Sequence, residues 1–304
     1  MKRPLLVLLG IGLLCCFPAC GAKKTAAPLP PPWEIPAQRA IRQGNASYLK
    51  GCHSLALQQY QAALEGYTAA DNTSGTALSL NNMGNAYRMI RRYEDALACY
   101  KEAAHRAGLL GEKALQDQAR INEIALFLET GHVQEAAERM ADMDPPDTLP
   151  ALIRPKARLL FLEGRSEEAK KLLEEALLRT DDSSRAGLLF SLGEILLDTK
   201  EPEAARPLLL EALHLDRQSG KFAATAADLM ALARCEALLE NHGPAADYAR
   251  RAMEIWALTG DASRLAEHEK FFLELAETSR MDMTLPRHFI PVWTEGRAVA
   301  GPCD

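Results

Sequence analysis

The chain has 304 residues, 48% of them hydrophobic but only 6% aromatic, and a formal net charge of −6. Alanine and leucine must supply the packing, which suits close helix–helix contact and argues against a β-sandwich. The acidic balance, with no basic patch and no interleaving of basic and aromatic residues, argues against nucleic-acid binding.

Residues 1–19 read as a targeting segment. Lys2 and Arg3 form a positive start, and Leu5 to Phe17 is an apolar run too short to span a bilayer. Small residues, Ala19 and Gly21, flank Cys20. The segment resembles a bacterial lipoprotein signal, which implies cleavage before Cys20 and acylation of its thiol with palmitate-type chains. An ordinary secretory signal peptide cleaved after Ala22 is the alternative. Several acyl chains on one cysteine make a stable anchor. Because Gly21, not Asp, follows Cys20, the resemblance implies the periplasmic face of the outer membrane. Loss of residues 1–19 removes Lys2 and Arg3 and no acid, taking the net charge from −6 to −8. Residues 20–36 then form a tether: Pro28, Pro30, Pro31, Pro32 and Pro36 favour an extended, semi-rigid spacer over a helix.

The array follows, over residues 37–260. In its best-defined stretch, Leu80 to Ala103, small and apolar residues fall at Leu80, Met83, Gly84, Tyr87, Tyr93, Ala96, Tyr100 and Ala103. They advance by three or four on either side of Arg91-Arg92, so two amphipathic helices are predicted with a tight turn between them. Gly44, Gly51, Ala56, Tyr60 and Ala63 repeat the pattern upstream. Downstream come Phe127, Gly131, Val133, Ala136, Met140 and Met143, and then Ala157, Leu160, Gly164, Ala169, Leu173 and Ala176. A fifth copy runs through Leu192, Gly193, Leu196, Ala205, Leu209 and Ala212, and a sixth through Leu232, Ala233, Ala245, Ala249 and Ala252. This pattern resembles the tetratricopeptide repeat, and the spacing of about 33 to 40 residues, against about 34 for the basic unit, implies an extra helical turn or a longer loop in most copies. In this respect it is similar to the repeats of kinesin light chains and related adaptors. The expected fold is all-α: a right-handed superhelical solenoid of stacked antiparallel helix pairs, each burying its apolar face on its neighbours, with a C-terminal capping helix.

Pro145, Pro146 and Pro150 interrupt the pattern and mark a flexible point between the third and fourth copies. Pro155 and Pro244 suit the first turn of a helix, whereas Pro207 falls inside one and is expected to kink it. Residues 261–280 are predicted as the solubilising cap. The tail, 281–304, carries Leu285, Phe289, Ile290, Val292 and Trp293, and is expected to dock on the last helices so as not to expose them, with contact to a partner the alternative.

Seven cysteines occur. Cys52, Cys99 and Cys235 lie on predicted helices in separate repeats and read as buried thiols acting as small hydrophobes, with pairing to Cys303 left open. No metal-ligand spacing, nucleophile elbow or phosphate-cradling loop is present, so neither metal, cofactor nor catalysis is expected. Glu267-His268-Glu269 reads as a solvated helix face.

The resemblance implies a non-catalytic adaptor whose first helices line a concave groove for a protein or peptide partner. Carried over in register, the groove falls on Asn45 and Tyr48, on Asn81, Asn85, Arg88 and Met89, and on Ile121, Leu128 and Glu129. It continues through Arg154, Arg158 and Phe161 to Phe190, Glu194, Asp198, Met230 and Arg234. Asparagine offers one acceptor and two donors to a peptide backbone. The family's carboxylate clamp is incomplete, because Ile41, Gln118 and Asn122 stand where cations belong. Arg154, Arg158 and Arg234 suit acidic or phosphorylated groups instead. A homo-oligomer, self-assembling as a structural lipoprotein, is the nearest rival reading, and an accessory subunit of an envelope enzyme is a more distant one. Related lipoproteins help to build pili, secretion channels or outer-membrane barrels.

Overall fold

A single local unit repeats along the chain: a helix, a residue in the left-handed backbone region, and a second helix. In the computed structural model the described residues are 31–145, 149–180, 182–299 and 301–303; the expected signal, Cys20 and residues 20–30 of the tether lie outside them, as does Pro146. The end of the expected spacer is instead helical, with Pro32 opening a 3-10 turn and Pro36 in the first turn of the first α-helix, where its missing N–H costs nothing. Six helix pairs occupy Ile35 to Thr259. They are α1 (Ile35–Leu49) with α2 (His53–Ala69), α3 (Thr73–Met89) with α4 (Tyr93–Leu109), and α5 (Lys113–Glu129) with α6 (Val133–Ala141). Then come α7 (Ile153–Leu162) with α8 (Ser166–Leu177), α9 (Asp182–Asp198) with α10 (Pro202–Gln218), and α11 (Phe222–Leu238) with α12 (His242–Thr259). Two further helices follow, α13 (Ala262–Ser279) and α14 (Thr284–Thr294). There is no strand among the described residues.

The turn inside each pair has one chemistry. Gly51, Arg91, Gly131, Gly164, Lys200 and Glu240 all have positive φ, between 60° and 82°. In the second pair the Arg91 N–H donates to the Arg88 carbonyl at 3.0 Å and the Arg92 N–H to the Tyr87 carbonyl at 2.9 Å. This closure satisfies carbonyls that the helix end would otherwise orphan. Arg91, Lys200 and Glu240 therefore do the work of glycine, at a steric cost of roughly 1–2 kcal/mol each.

From α1 to α13 each helix packs on the next, and the first helices of successive pairs also touch: α3 on α5, α5 on α7, α7 on α9 and α9 on α11. Small residues set the approach. A Cβ on Gly84 would lie 2.5 Å from Tyr100 Cε1, and one on Gly44 would lie 2.4 Å from Tyr60 Cε1. The tyrosine ring thus fills the space that the glycine leaves open. One core cluster runs from Ala157 to Leu275, and smaller ones lie between the earlier pairs, so the core grows by stacking. The longer spacing is an extra turn: most helices of the first, second, fifth and sixth pairs have 17 residues. The shortest interval, from Met143 to Ala176, contains α7 and α8, which have only 10 and 12 residues, and α6 before them has 9.

Several expectations need correction. Cys52 is not a free thiol, since it forms a disulfide with Cys303, 251 residues away. Cys235 is a buried free thiol and Cys99 a half-buried one. Met143 lies beyond the end of α6 and so does not close the third pair as its counterparts do. Pro207 leaves α10 unbroken from Pro202 to Gln218. Met230 is in the core, 3% exposed, because it shares a helix face with Ala233 at the seam. The tail docks on the last helices as expected, but Leu285 and Phe289 stay exposed. Beyond α13, the tail forms α14, which packs on α12 and brings Ile290 and Trp293 against the main core cluster. Within α13, His268 stacks on Trp256 with ring centroids 5.0 Å apart. No described helix is long and apolar enough to cross a membrane.

Candidate functional site

The row of first helices lines a groove of about 730 Å³, and α13 contributes Arg264 to it. Helical spacing explains the lining. Arg88 ends α3, Glu129 ends α5, Arg154 and Arg158 are one turn apart on α7, Glu194 and Asp198 are one turn apart on α9, and Arg234 lies on α11. Ile121, Leu128, Phe190 and Ile195 supply an apolar floor, and Gln118 and Asn122 supply neutral hydrogen-bonding groups.

Charges across neighbouring repeats pair up. Arg88 Nε stands 3.4 Å from Glu129 Oε2. Arg234 donates to both Glu194 oxygens, at 2.9 and 3.1 Å, and to Asp198 at 2.8 Å. Burial nevertheless raises the Glu194 carboxyl above its ordinary range, against the pull of Arg234. Arg154 has no such carboxylate among the described residues; its Nε donates to Ser191 Oγ at 3.1 Å. Its guanidinium lies where Gly187 has no side chain, with Nη1 2.9 Å from the place of a Cβ. Burial lowers the Arg154 pKa and the Arg88 charge adds to the effect, with Asp216 opposing. The side chain retains solvent access although protein surrounds it on the scale of the groove. Arg158 spreads over the Phe161 ring, 5.4 Å from its centroid.

Of the residues expected from sequence, Arg88, Arg154, Arg158, Phe190 and Arg234 meet in this cavity, together with Ile121, Leu128, Glu129, Glu194 and Asp198. Asn45 and Asn85 sit farther along the row, and each accepts a hydrogen bond at 2.9 Å from the tyrosine of its own pair, Tyr60 or Tyr100. Asn81 is buried, and its side-chain oxygen accepts from Asn122 at 2.8 Å. Met89, at the end of α3, and Phe161, beneath Arg158, are half-buried. Sequence reasoning missed Arg264, which lies on the helix read only as a cap. It set Gln118 and Asn122 aside as failed clamp positions, although both face the groove. The recurring Asn-to-Tyr separation of 15 residues was the available signal that the core tyrosines also orient groove asparagines.

The first repeat and the end of the array meet. Besides the disulfide, Arg91 pairs with Glu267, and a Cβ on Gly51 would lie 3.3 Å from Thr259 Cγ2. A cavity of about 420 Å³ sits at this junction, bordered by His53. Burial, assisted by the charge of Arg264, lowers the His53 pKa to about 4, so it is neutral at physiological pH.

This architecture defines a class, the tetratricopeptide-type helical solenoid. Residues 38–106 match the family model for the tetratricopeptide repeat, which accords with the helix pairs of that stretch. Among solved structures, it is similar to the Rap conjugation gene regulator of the plasmid pLS20 in complex with the Phr* peptide. The TM-score is 0.60 at 15% identity, over 86% of this chain and 73% of that one, a likeness of fold. No curated protein matches by sequence.

Proposed function

We propose that this protein is a non-catalytic adaptor of the bacterial cell envelope that holds an extended segment of a partner protein in its concave groove. The observation that carries this reading is the groove itself: a continuous apolar floor flanked by polar and charged groups from α3, α5, α7, α9 and α11. Backbone amides of an extended peptide pair with groups such as Asn122, Gln118 and Asn85, and its side chains enter the apolar pockets between them. The Phr* peptide of the similar solved structure is consistent with this use of the fold. A lipid on Cys20 and a proline-rich spacer would tether the array at the periplasmic face of the outer membrane, in support of assembling a pilus, secretion or outer-membrane complex. The disulfide accords with such an oxidising compartment.

Site-specific photocrosslinking tests the groove. A benzophenone amino acid at Asn122 or Arg158, on the concave side, is expected to capture the same envelope protein, and one at the distant Lys101 is not. Equal capture from all three positions would defeat the reading. Palmitate incorporation in the wild type, absent from Cys20→Ser, tests the anchor separately.

A further inference from the structure

We infer that the groove is built to anchor a carboxylate side chain of an extended peptide between Arg154 and Arg158, an inference that rests on the groove being the peptide site. The argument is one of matched and unmatched charge. Among the groove's cations, Arg88 is ion-paired with Glu129 at 3.4 Å, Arg234 with Glu194 and Asp198, and Arg264 with Glu267 at 3.4 Å. Arg154 and Arg158 have no ion-pair partner among the described residues, in a chain whose net charge is −6. An acidic protein that leaves two adjacent guanidinium groups facing one cavity without an ion pair has a local excess of positive charge there, since Glu194, the acid whose field Arg158 feels, is already bound by Arg234.

Both groups are also held in place before any ligand arrives. Arg154 is fixed by Ser191 and by the space over Gly187, and Arg158 by the Phe161 ring. Pre-ordered guanidinium groups lose less side-chain freedom on binding, and their planar forks match a carboxylate with two parallel hydrogen bonds. The lowered proton affinity of Arg154 accords with a cation crowded by Arg88 and protein and lacking its own anion. A carboxylate there would relieve that crowding. The neighbouring Phe190, Ile195 and Leu128 favour an apolar residue beside the acidic one.

The test is selection from a displayed random peptide library with the full-length protein, followed by affinity measurement on a synthetic fluorescent copy of the leading peptide and on its Glu→Gln counterpart. Wild type is expected to select peptides with an acidic residue at one fixed position beside an apolar one. Arg154→Gln/Arg158→Gln is expected to lose that preference and to bind the acidic peptide at least about tenfold more weakly, since charge-assisted hydrogen bonds are roughly twice as strong as neutral ones. The Gln counterpart should bind both proteins alike, which also shows that the variant is folded. Should the double variant misfold, Arg158→Gln alone, at an exposed position, carries the same comparison. Peptides selected without an acidic position, yet displaced by the groove substitution Asn122→Ala, would overturn this inference and leave the peptide groove standing. Failure to select any groove-dependent peptide would overturn both.

Discussion

Replacing Cys303 by Ser removes the covalent link between the first repeat and the chain's end while changing little else, since Cys303 is only half-buried and Cys52 is 2% exposed. The bond closes a loop of 251 residues. The chain-entropy relation gives about 5.5 kcal/mol at 25 °C for a loop of that length, and measured values of about 2–4 kcal/mol are usual because the unlinked chain retains structure. A repeat array frays from its ends, so the link acts where the array is weakest. At roughly 2 °C of Tm per kcal/mol for a chain of this size, Cys303→Ser should melt about 4–8 °C below wild type. Wild type treated with a thiol reductant should fall to the same Tm, and the variant should not respond. Hydrogen exchange should rise in α1–α2 and α13–α14 before it rises in α9–α11. Equal Tm values for wild type and variant, with the bond verified by peptide mapping, would show that the Arg91–Glu267 contact and α14 packing hold the ends together unaided.

Three further predictions concern single positions. Asp228 is buried beside Asp216, and burial raises its carboxyl to about 8. Its contribution to stability is fully present below the unfolded value of 3.8 and is lost as pH rises through 8, so Asp228→Asn should gain on wild type progressively from pH 4 to pH 8. The gain should reach the order of a few kcal/mol, and a difference independent of pH in urea titrations would refute the assignment. Gly84→Ala drives a methyl against the Tyr100 ring and should cost about 1–3 kcal/mol in urea unfolding, whereas Gly243→Ala, where a Cβ meets nothing, should be neutral or stabilising by up to about 1 kcal/mol. Lys200→Gly relieves a φ of 65° at an exposed turn and should stabilise by about 1 kcal/mol; a loss measured the same way would mean that the lysine makes a contact that offsets its strain.

Much of the fold was legible because its determinants are local. Gly84 with Tyr100, and Gly44 with Tyr60, are packing pairs 16 residues apart, and each announces a helix hairpin without reference to the rest of the chain. The left-handed turns were less visible. Gly51 marks one openly, but Arg91, Lys200 and Glu240 occupy the same backbone state with residues that carry no such signal, and only their register against Gly51 reveals it. The groove was legible to the extent that register fixes a helix face: Arg88, Arg154, Arg158, Phe190 and Arg234 follow from it. Met230 and Asn81 show its resolution, since a position one step around the helix exchanges groove for core.

What the pattern could not encode is the return of the chain's end to its beginning. Cys52 and Cys303 are 251 residues apart, and their meeting depends on the accumulated rotation of six unequal helix pairs, including the shortened α6, α7 and α8. A small error per repeat, summed over that distance, would separate the ends by far more than a disulfide spans, so no local motif specifies the contact. The same accumulation brings Arg264 from the capping helix into the groove opposite α3 and α7. The curvature that closes the array is thus also what completes the ligand-facing wall. Changes that lengthen α6 or α7 should therefore disturb the disulfide and the groove together, although neither lies on the altered helix pair alone.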